Sequence, residues 1–284
     1  MKPLHLALIF GTVIAWGFNF VASRVALEIF SPEQMAFARS ALTLALLLPW
    51  WRPLQRLPWR LLAAALAIGT FSFYLVYEAI RLTESLTTVA VATQLMPSLS
   101  ALLALVFFRE PISARKWLGI LIATAGAVFL AGATKSSLSA AAMGLTVLGV
   151  LFYSAGSVTI GKTAAVGLWN ILAWIAAVSL LPLAFMAALS GPLLPDLGQM
   201  QPRHALAFLF SVVIAGLMGQ AALFHLYRNH RVSDVAPWTL FVPVIAAVSS
   251  IAVYDEKVTI GLVTGAAIVL LGVWIQQGGF ARSN

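Results

Sequence analysis

Residues 87–108 read TTVAVATQLMPSLSALLALVFF, a run of 22 residues that carries no charged side chain and has one proline near its centre. A helix needs about 20 predominantly apolar residues to cross the hydrocarbon core of a bilayer. A backbone in lipid must satisfy its own hydrogen bonds, so a run this long and apolar predicts a transmembrane helix and not an open strand.

Nine further stretches of the same kind occur along the chain. The 284 residues are 61% apolar and 9% charged, whereas soluble domains carry about 25% charged residues. Ten spans of about 20 residues occupy about 200 positions and leave no room for a soluble domain. We therefore predict an all-α membrane protein with ten transmembrane helices, at 4–27, 33–50, 61–80, 87–108, 115–132, 142–162, 168–189, 205–226, 234–254 and 259–277.

Composition also excludes several kinds of function. The chain has no cysteine, which rules out disulfides, thiolate metal sites and cysteine nucleophiles. No pair of acids, histidine cluster or Ser/His arrangement at helical spacing indicates an enzyme. We expect no cofactor and no metal. The net charge of +8 would suit nucleic acid, but in a membrane protein excess Lys and Arg mark cytoplasmic loops, so we expect no nucleic-acid partner.

The distribution of basic residues predicts the orientation. With a cytoplasmic N-terminus, eleven bases fall on the inner side and six on the outer side, which agrees with the positive-inside rule and places both termini in the cytoplasm. The inner bases are Lys2, Arg52, Arg56, Arg60, Arg109, Arg115, Lys116, Lys162, Arg228, Arg231 and Arg282, and the outer ones are Arg24, Arg39, Arg81, Lys135, Arg203 and Lys257.

The second half of the chain repeats part of the first at a spacing of 146 residues. Nine of the 44 positions from 83 to 126 carry the residue found 146 positions later, at 89, 90, 93, 97, 101, 110, 119, 122 and 126. Each half then holds five helices. Because five is an odd number, the second half starts on the opposite side of the membrane from the first and has the inverted orientation. This predicts two inverted five-helix repeats, 1–138 and 139–284, as in secondary transporters with a substrate site at the repeat interface. Duplication for packing alone is the alternative.

Motifs in both halves resemble a known family, the ten-helix EamA-type branch of the drug/metabolite transporter superfamily. They are Trp16-Gly17-Phe18-Asn19-Phe20, Arg39, residues 89–97, Glu110, Gly119, Gly126, Val235-Ala236-Pro237, residues 240–243, Asp255-Glu256, Gly265-Ala266 and Gly272. The resemblance covers nearly the whole chain and is greatest to exporters of cysteine-pathway metabolites and other amino acids. It implies a multi-pass protein of the bacterial inner membrane that moves a small-molecule substrate.

One motif is rejected. Residues 156–163 read GSVTIGKT, which matches the phosphate-binding loop of nucleotide-binding proteins. That chemistry requires a buried strand, a loop and then a helix. Here the residues end an apolar run, so we predict that they belong to a transmembrane helix.

Two prolines at equivalent repeat positions are predicted hinges. Pro97 and Pro243 each remove a helical hydrogen bond and free the carbonyl four residues earlier, which belongs to Thr93 and Thr239 respectively. One interpretation is that the kinks line the substrate cavity and flex during transport. The other is that they serve packing without touching a ligand.

Polar and aromatic residues within the spans form the predicted substrate site, because polar side chains in a bilayer face the bundle interior. The candidates are Trp16, Asn19, Tyr74, Glu78, Thr93, Gln94, Tyr153, Ser157, Gln220, His225, Trp238 and Thr239. Together they predict a cavity between helices one, three, four, six, eight and nine that suits a small polar or zwitterionic solute. Hydrogen bonding between helices, with Trp at the interface, is the alternative for each.

Glu78 is the acid placed clearly within a span, which makes it a candidate proton carrier. Its alternative role is a salt bridge with Arg81. Glu110 and Glu256 each precede a helix and are predicted to stabilise its N-terminus through the helix dipole. Gly261 and Gly265 permit close helix contact, either within one chain or in a dimer, so both a monomer and a homodimer stay open.

The sequence as a whole predicts a secondary transporter. We expect it to export amino acids or related small metabolites by alternating access, with proton coupling suggested by Glu78. The alternative is an efflux transporter for drugs or cationic compounds, which would require a carboxylate deep in the cavity.

Overall fold

The fold is built from helices. A computed structural model of the protein describes residues 3–52, 59–133, 137–163, 167–229 and 235–277, and these described ranges contain helices, turns and loops but no strand. The predicted span start Asp234 and the bases Lys2, Arg56, Lys135, Arg231 and Arg282 lie outside these ranges.

Helical runs are labelled α1 to α10 in chain order. The first five are α1 (Pro3–Ala26), α2 (Pro32–Leu47, followed by a 3₁₀ turn Leu48–Trp50), α3 (Trp59–Leu82), α4 (Leu86–Phe108) and α5 (Ala114–Ala133). The others are α6 (Ser137–Thr163), α7 (Leu168–Ser190), α8 (Pro202–Leu209, Phe210–Met218 and Gly219–Asn229), α9 (Val242–Tyr254, preceded by the 3₁₀ turn Ala236–Phe241) and α10 (Ile260–Gln277).

The predicted spans coincide with these runs to within a few residues at most ends. Among the described residues, seven runs are long and apolar enough to cross a membrane, namely α1, α3, α4, α6, α7, α8 and α10, and Trp238–Tyr254 is a shorter apolar helix. The kink expected within the predicted span 234–254 takes the form of a change in winding, from the 3₁₀ turn Ala236–Phe241 to the α-helix Val242–Tyr254. Pro243 lies at the start of that α-helix, where its missing amide hydrogen leaves no helical hydrogen bond unmade.

Large apolar side chains cover the outside of the bundle. Leu181 on α7 is 82% exposed and Ile260 at the start of α10 is 87% exposed, whereas Met35 and Val89 are fully buried between helices. Such a surface is stable in contact with lipid. We call the end where α1 begins the inner end and the opposite end the outer end, following the predicted orientation.

The 146-residue spacing found in the sequence recurs in the backbone. The straight part of α4, Met96–Phe108, and α9, Val242–Tyr254, start and end 146 residues apart. Each helix stops at a residue in the left-handed region, Arg109 with φ 54° and Asp255 with φ 51°. A left-handed residue commonly terminates a helix, so the two halves share this helix and its ending.

A second shared feature is a wide helical turn in α3 and in α8. Residues Ala67–Ser72 of α3 and Phe210–Met218 of α8 form π-helix, and a shift of 146 carries the first segment onto 213–218. π segments are rare and frequently lie at functional sites, and both of these contribute residues to the cavity described below.

Close contact between α5 and α10 depends on the repeated glycines. A side-chain carbon added at Gly119 would lie 2.6 Å from the Gln276 nitrogen, and one added at Gly126 would lie 2.6 Å from the Val269 nitrogen. One added at Gly272 would collide with the backbone of Ala123. Small residues let helix backbones approach in this way, which explains why these glycines recur in both halves.

The same reasoning explains the phosphate-loop pattern. Gly156 lies within α6, and a side-chain carbon there would sit 2.5 Å from Ile68 and 2.7 Å from the Ala64 oxygen of α3. The glycine therefore serves helix packing, as expected for a transmembrane helix.

Polar contacts tie the helices together at the outer end. The Arg24 guanidinium of α1 donates to the carbonyl oxygens of Ile80, Arg81 (2.8 Å) and Thr83 (3.2 Å) at the end of α3. A basic side chain stabilises the unpaired carbonyls of a helix C-terminus. At the same end the carboxylate of Glu28, in the turn after α1, pairs with Arg203 at 3.0 Å.

The prediction that Glu256 stabilises the helix that follows it was wrong. Its carboxylate accepts hydrogen bonds from Ser85 Oγ (2.5 Å) and the Thr87 amide (3.4 Å) at the N-terminus of α4, and from Ser250 Oγ of α9. Glu256 is 8% exposed. The acid meets a helix N-terminus as predicted, but the helix belongs to the other half of the chain.

Substituting Gly272 tests the α5–α10 contact. The alanine side chain of Gly272→Ala meets backbone that cannot move aside, so we expect the free energy of unfolding to fall by about 1–3 kcal/mol, measured as a lower midpoint of thermal unfolding in detergent. The control is Gly144→Ala on α6, where nothing lies within 4 Å of the added carbon, and which should be neutral or slightly stabilising. Equal destabilisation of both variants would contradict the packing argument.

Candidate substrate cavity

A cavity of about 890 Å³ lies between α2, α3, α4, α6, α7 and α8. It falls within the usual range for small-molecule sites, about 300–1,000 Å³. Of the predicted site residues, four line it: Tyr153, Ser157, Gln220 and His225. These come from α6 and α8, so the structure brings together two helices whose polar positions were predicted to share a site.

Tyr153 and Gln220 form the polar pair in this cavity. Gln220 Nε2 donates a hydrogen bond to the Tyr153 hydroxyl at 3.1 Å, while Ser157 lies one helical turn beyond Tyr153 on the same face of α6. Apolar side chains of α3, α6 and α7 make up most of the remaining wall, including Ile68, Ile160 and Leu172. The cavity thus offers a few polar groups in a largely apolar setting.

Arg39 also lines the cavity, although its role was not predicted. It lies about 10 Å along α2 from the first residue, and its guanidinium sits 4.1 Å from the centre of the Phe73 ring. Arg39 Nη1 donates to the Tyr77 hydroxyl and to the Ser211 oxygen, each at 3.4 Å. Its assignment to the outer side was wrong, because the side chain lies within the bundle and lines the cavity.

The π segment of α8 receives donors from two neighbouring helices. The Gly219 amide donates to the Ile214 oxygen, although in a regular α-helix it would donate to Ala215. Trp16 Nε1 of α1 donates to the Ala215 oxygen at 2.9 Å. On another side of the same segment, Arg39 reaches the Ser211 oxygen. The segment therefore contacts Trp16 of α1 and also forms part of the cavity wall.

Eight of the twelve predicted site residues do not line this cavity: Trp16, Asn19, Tyr74, Glu78, Thr93, Gln94, Trp238 and Thr239. Gln94 Nε2 donates to the Thr239 oxygen at 3.1 Å, which joins α4 to the 3₁₀ turn before α9. Pro243 was predicted to free that oxygen, but the oxygen also accepts a hydrogen bond from the Val242 amide. Thr93 bonds back to the Ala90 oxygen at 2.7 Å.

The two hinge prolines sit at these helix breaks. α4 is interrupted between Thr93 and Met96, and the Pro97 oxygen accepts a hydrogen bond from Gln276 Nε2 of α10 at 2.9 Å. Ser98 Oγ donates to Gln276 Oε1 at 2.7 Å. The neighbouring Met96 reaches the cavity wall, so the break in α4 borders the cavity.

Glu78 and Tyr74 lie toward the outer end of α3. Glu78 accepts two hydrogen bonds from Arg81, at 2.8 and 2.5 Å, which is the ion pair considered as the alternative in the sequence. Tyr74 lies within interaction range of Glu33, Glu78 and Arg81.

The remaining candidates are spread along α1 and the inner end. Asn19 Oδ1 is buried without a hydrogen-bond partner among the described residues. The Trp238 ring packs edge-on against Phe10 at 5.2 Å. The His225 ring lies 5.7 Å from the His5 ring near the start of α1.

The cavity reaches the inner end of the bundle. Its lining includes His225 together with Gly167, Leu168 and Trp169 at the start of α7, and Trp169 faces Trp50 at the end of α2. The polar contacts of Arg24, Glu28 and Glu256 are all at the outer end. In this conformation the cavity therefore lies nearer the inner end of the bundle than the outer end.

The position of Arg39 in the sequence is itself a signal of function. An ionisable residue within a span marks a functional site, and this holds for Arg39 as it does for Glu78. Arg39 is seven residues into the predicted span 33–50, deeper than the bases at other span ends. The apolar lining residues, such as Ile175 and Leu172, carried no signal because every span is rich in them.

Replacing Glu78 by Gln tests the proton-carrier prediction. Because Arg81 holds the carboxylate outside the cavity, and such half-exposed pairs contribute little, we expect transport with and without a pH gradient to stay within about twofold of wild type. The measurement is flux into proteoliposomes. Loss of the pH-gradient effect with retained downhill flux would instead assign proton carriage to Glu78.

A bundle of membrane-spanning helices around a cavity of this size is the architecture of a solute transporter. The chain belongs to the EamA-like transporter family, whose sequence model matches residues 4–132 and again residues 140–276. The resemblance seen in the sequence is thereby confirmed. The protein is a multi-pass membrane transporter and not an enzyme.

The relatives that this chain resembles in sequence are also named as transporters. An uncharacterized transporter of Archaeoglobus fulgidus is 23% identical over 269 residues, which cover 93% of this chain and 95% of the relative. Probable amino-acid metabolite efflux pumps of Escherichia coli and Salmonella typhimurium are 23% and 24% identical, and the matches cover 94% and 98% of this chain and 92% and 96% of the relatives.

A solved crystal structure shows the same fold. It aligns with a TM-score of 0.63 at 16% sequence identity and covers 97% of this chain and 96% of its own.

Proposed function

We propose that this protein is a secondary transporter that exports amino acids or related small metabolites across the bacterial inner membrane by alternating access. The observation that carries the proposal is the cavity of about 890 Å³ that reaches the inner end, while polar contacts join the helices at the outer end. In this conformation a solute enters from the cytoplasm. The names of the two efflux-pump relatives support amino-acid metabolites as the cargo.

The proposed architecture is ten transmembrane helices in two inverted five-helix repeats, 1–138 and 139–284, with both termini in the cytoplasm. It is supported by the double match of the family model and by the helices and left-handed endings that recur 146 residues apart. Alternating access then requires the halves to rock, which separates the outer contacts of Arg24, Glu28 and Glu256 and closes the inner opening.

Export of cationic drugs or dyes is the second candidate function. A cationic solute needs a carboxylate or an aromatic cage in the cavity. The described residues that line this cavity include no Asp or Glu, and they do include Arg39. The lining therefore favours a solute that is zwitterionic or anionic.

A transport assay with a blocked cavity tests the function. Proteoliposomes with wild-type protein should accumulate at least one member of an L-amino-acid panel faster than empty liposomes, assayed with and without a pH gradient. Ser157→Trp should abolish that flux because the ring fills the cavity next to Tyr153. The matched control is Leu148→Trp on the same helix, where Leu148 is 42% exposed toward lipid, and it should transport normally.

Two results would contradict the proposal. One is flux of cationic dyes without flux of any amino acid. The other is equal transport by the Ser157→Trp and Leu148→Trp variants. Cells that express the protein should also resist toxic amino-acid analogues more than cells that carry Ser157→Trp.

The orientation is tested with single cysteines, which the chain allows because it has none of its own. Ser113→Cys lies in the exposed segment between α4 and α5, and Gln199→Cys lies between α7 and α8. In intact cells a membrane-impermeant maleimide should label Gln199→Cys, and it should label Ser113→Cys only after permeabilisation. The reverse pattern would place the termini outside.

A further inference from the structure

We propose that Arg39 binds the carboxylate of the transported solute, so that the transporter selects carboxylate-bearing compounds with an apolar body and rejects their esters and amines. The inference rests on the proposed transport function and names the substrate class of the same cavity. It starts from the position of a guanidinium that faces the cavity within the membrane.

Arg39 has no acidic partner among the described residues. The acids there pair elsewhere or lie at the helix ends, as Glu78 does with Arg81, Glu28 with Arg203 and Glu256 with Ser85. An ionised side chain within a bilayer is costly and is found where it faces a cavity and serves binding or transport. The cost of burying this charge is offset when an anion occupies the cavity.

Most of the hydrogen-bonding capacity of this guanidinium is unused. An arginine side chain has five N–H donors, and Arg39 uses Nη1 for two long contacts of 3.4 Å, to the Tyr77 hydroxyl and the Ser211 oxygen. Its Nη2 and Nε make no hydrogen bond within the part of the chain that the structure describes. A planar carboxylate is the group that accepts two parallel bonds from such a fork.

The guanidinium is also held in a defined position. The Phe73 ring covers one side at 4.1 Å. The backbone of α8 lies against it at Gly216, where an added side-chain carbon would be 3.1 Å from Arg39 Nη2. The π segment and the absence of a side chain at Gly216 thus make room for the charge, and the site is preorganised for an anion.

The rest of the lining defines the remainder of the solute. Tyr153, Ser157 and Gln220 supply neutral polar groups, and Gln220 Oε1 is available to accept from an ammonium group since Gln220 Nε2 is used on Tyr153. Apolar residues of α3 and α7, among them Ile68 and Leu172, contact the body of the molecule. The described lining contains no carboxylate that would attract a cation. A protonated amine without a carboxylate therefore meets only the like charge of Arg39.

The test measures binding to the full-length protein in lipid nanodiscs by isothermal titration calorimetry. The probes are the proteinogenic L-amino acids, the methyl ester and decarboxylated amine of each one that binds, and the simple pair hexanoate and hexylammonium. We expect amino acids and hexanoate to bind, and their esters and amines to bind at least tenfold more weakly.

Three variants separate a binding role from a structural one. Arg39→Gln should weaken amino-acid and hexanoate binding by about 10- to 100-fold, the usual value of hydrogen bonds to a charged group. Arg39→Lys keeps the charge but loses the planar fork, so it should be intermediate. The matched control Arg60→Gln removes an exposed arginine at the start of α3 that does not line the cavity, and it should bind as wild type. Size-exclusion chromatography and thermal unfolding check that each variant folds.

The outcomes are distinguishable. Amino-acid binding that Arg39→Gln or esterification leaves unchanged overturns the role of Arg39 and keeps the proposed function. Hexanoate binding that depends on Arg39, without binding of any amino acid, keeps the role of Arg39 and overturns the amino-acid class. Binding of hexylammonium alone, or of no probe, overturns both.

Discussion

The structure depends on the requirement that every polar backbone group within the membrane finds a partner inside the protein. Regular helices meet it by themselves, and the informative places are those where the helix changes its winding. In the π segment of α8, Trp16 takes the Ala215 oxygen. At the turn before α9, Gln94 adds a second hydrogen bond to the Thr239 oxygen, which also accepts from the Val242 amide, and next to the break in α4, Gln276 donates to the Pro97 oxygen. These side chains join α1 to α8, the turn before α9 to α4, and α10 to α4, so side-chain hydrogen bonds to the backbone at and beside the irregular places form contacts between helices.

The same irregularities position the cavity. The π segments of α3 and α8 both contribute to its wall, through Ile68 and Gly69 on one side and Val212 and Gly216 on the other. If α8 were a regular α-helix throughout, the residues around Gly216 would be rotated differently about the helix axis. The wider turn lets the Arg39 guanidinium rest against it, which a side chain at Gly216 would obstruct. The two π segments are related by the 146-residue repeat spacing, while the glycines of α5 and α10 form a separate close contact.

Much of the helix pattern was readable from the sequence, because length and apolarity are local properties. The repeat was readable too. Identical prolines and glycines 146 residues apart, such as those that match Pro97, Gly119 and Gly126, are informative because an apolar residue such as Leu cannot replace them. The site was only partly readable. Tyr153 and Gln220 contact each other in the cavity, whereas Gln94 and Thr239, chosen by the same argument, contact each other outside its lining. In the sequence, a polar residue within a span has the same appearance whether its side chain faces a cavity or a neighbouring helix.

The sequence by itself determined an all-helical membrane protein, its approximate helix ends and the exclusion of a nucleotide site at Gly156, because bilayer thickness and backbone hydrogen bonding constrain each segment separately. It also determined membership of a transporter family, because the motifs of that family recur along the chain. Only the tertiary structure decided which helices enclose the cavity, that Glu256 meets the N-terminus of α4, and that Arg39 lies inside the bundle instead of at its outer surface. Those facts depend on the rotation of each helix about its axis and on π turns, and both arise from contacts between residues more than 100 positions apart.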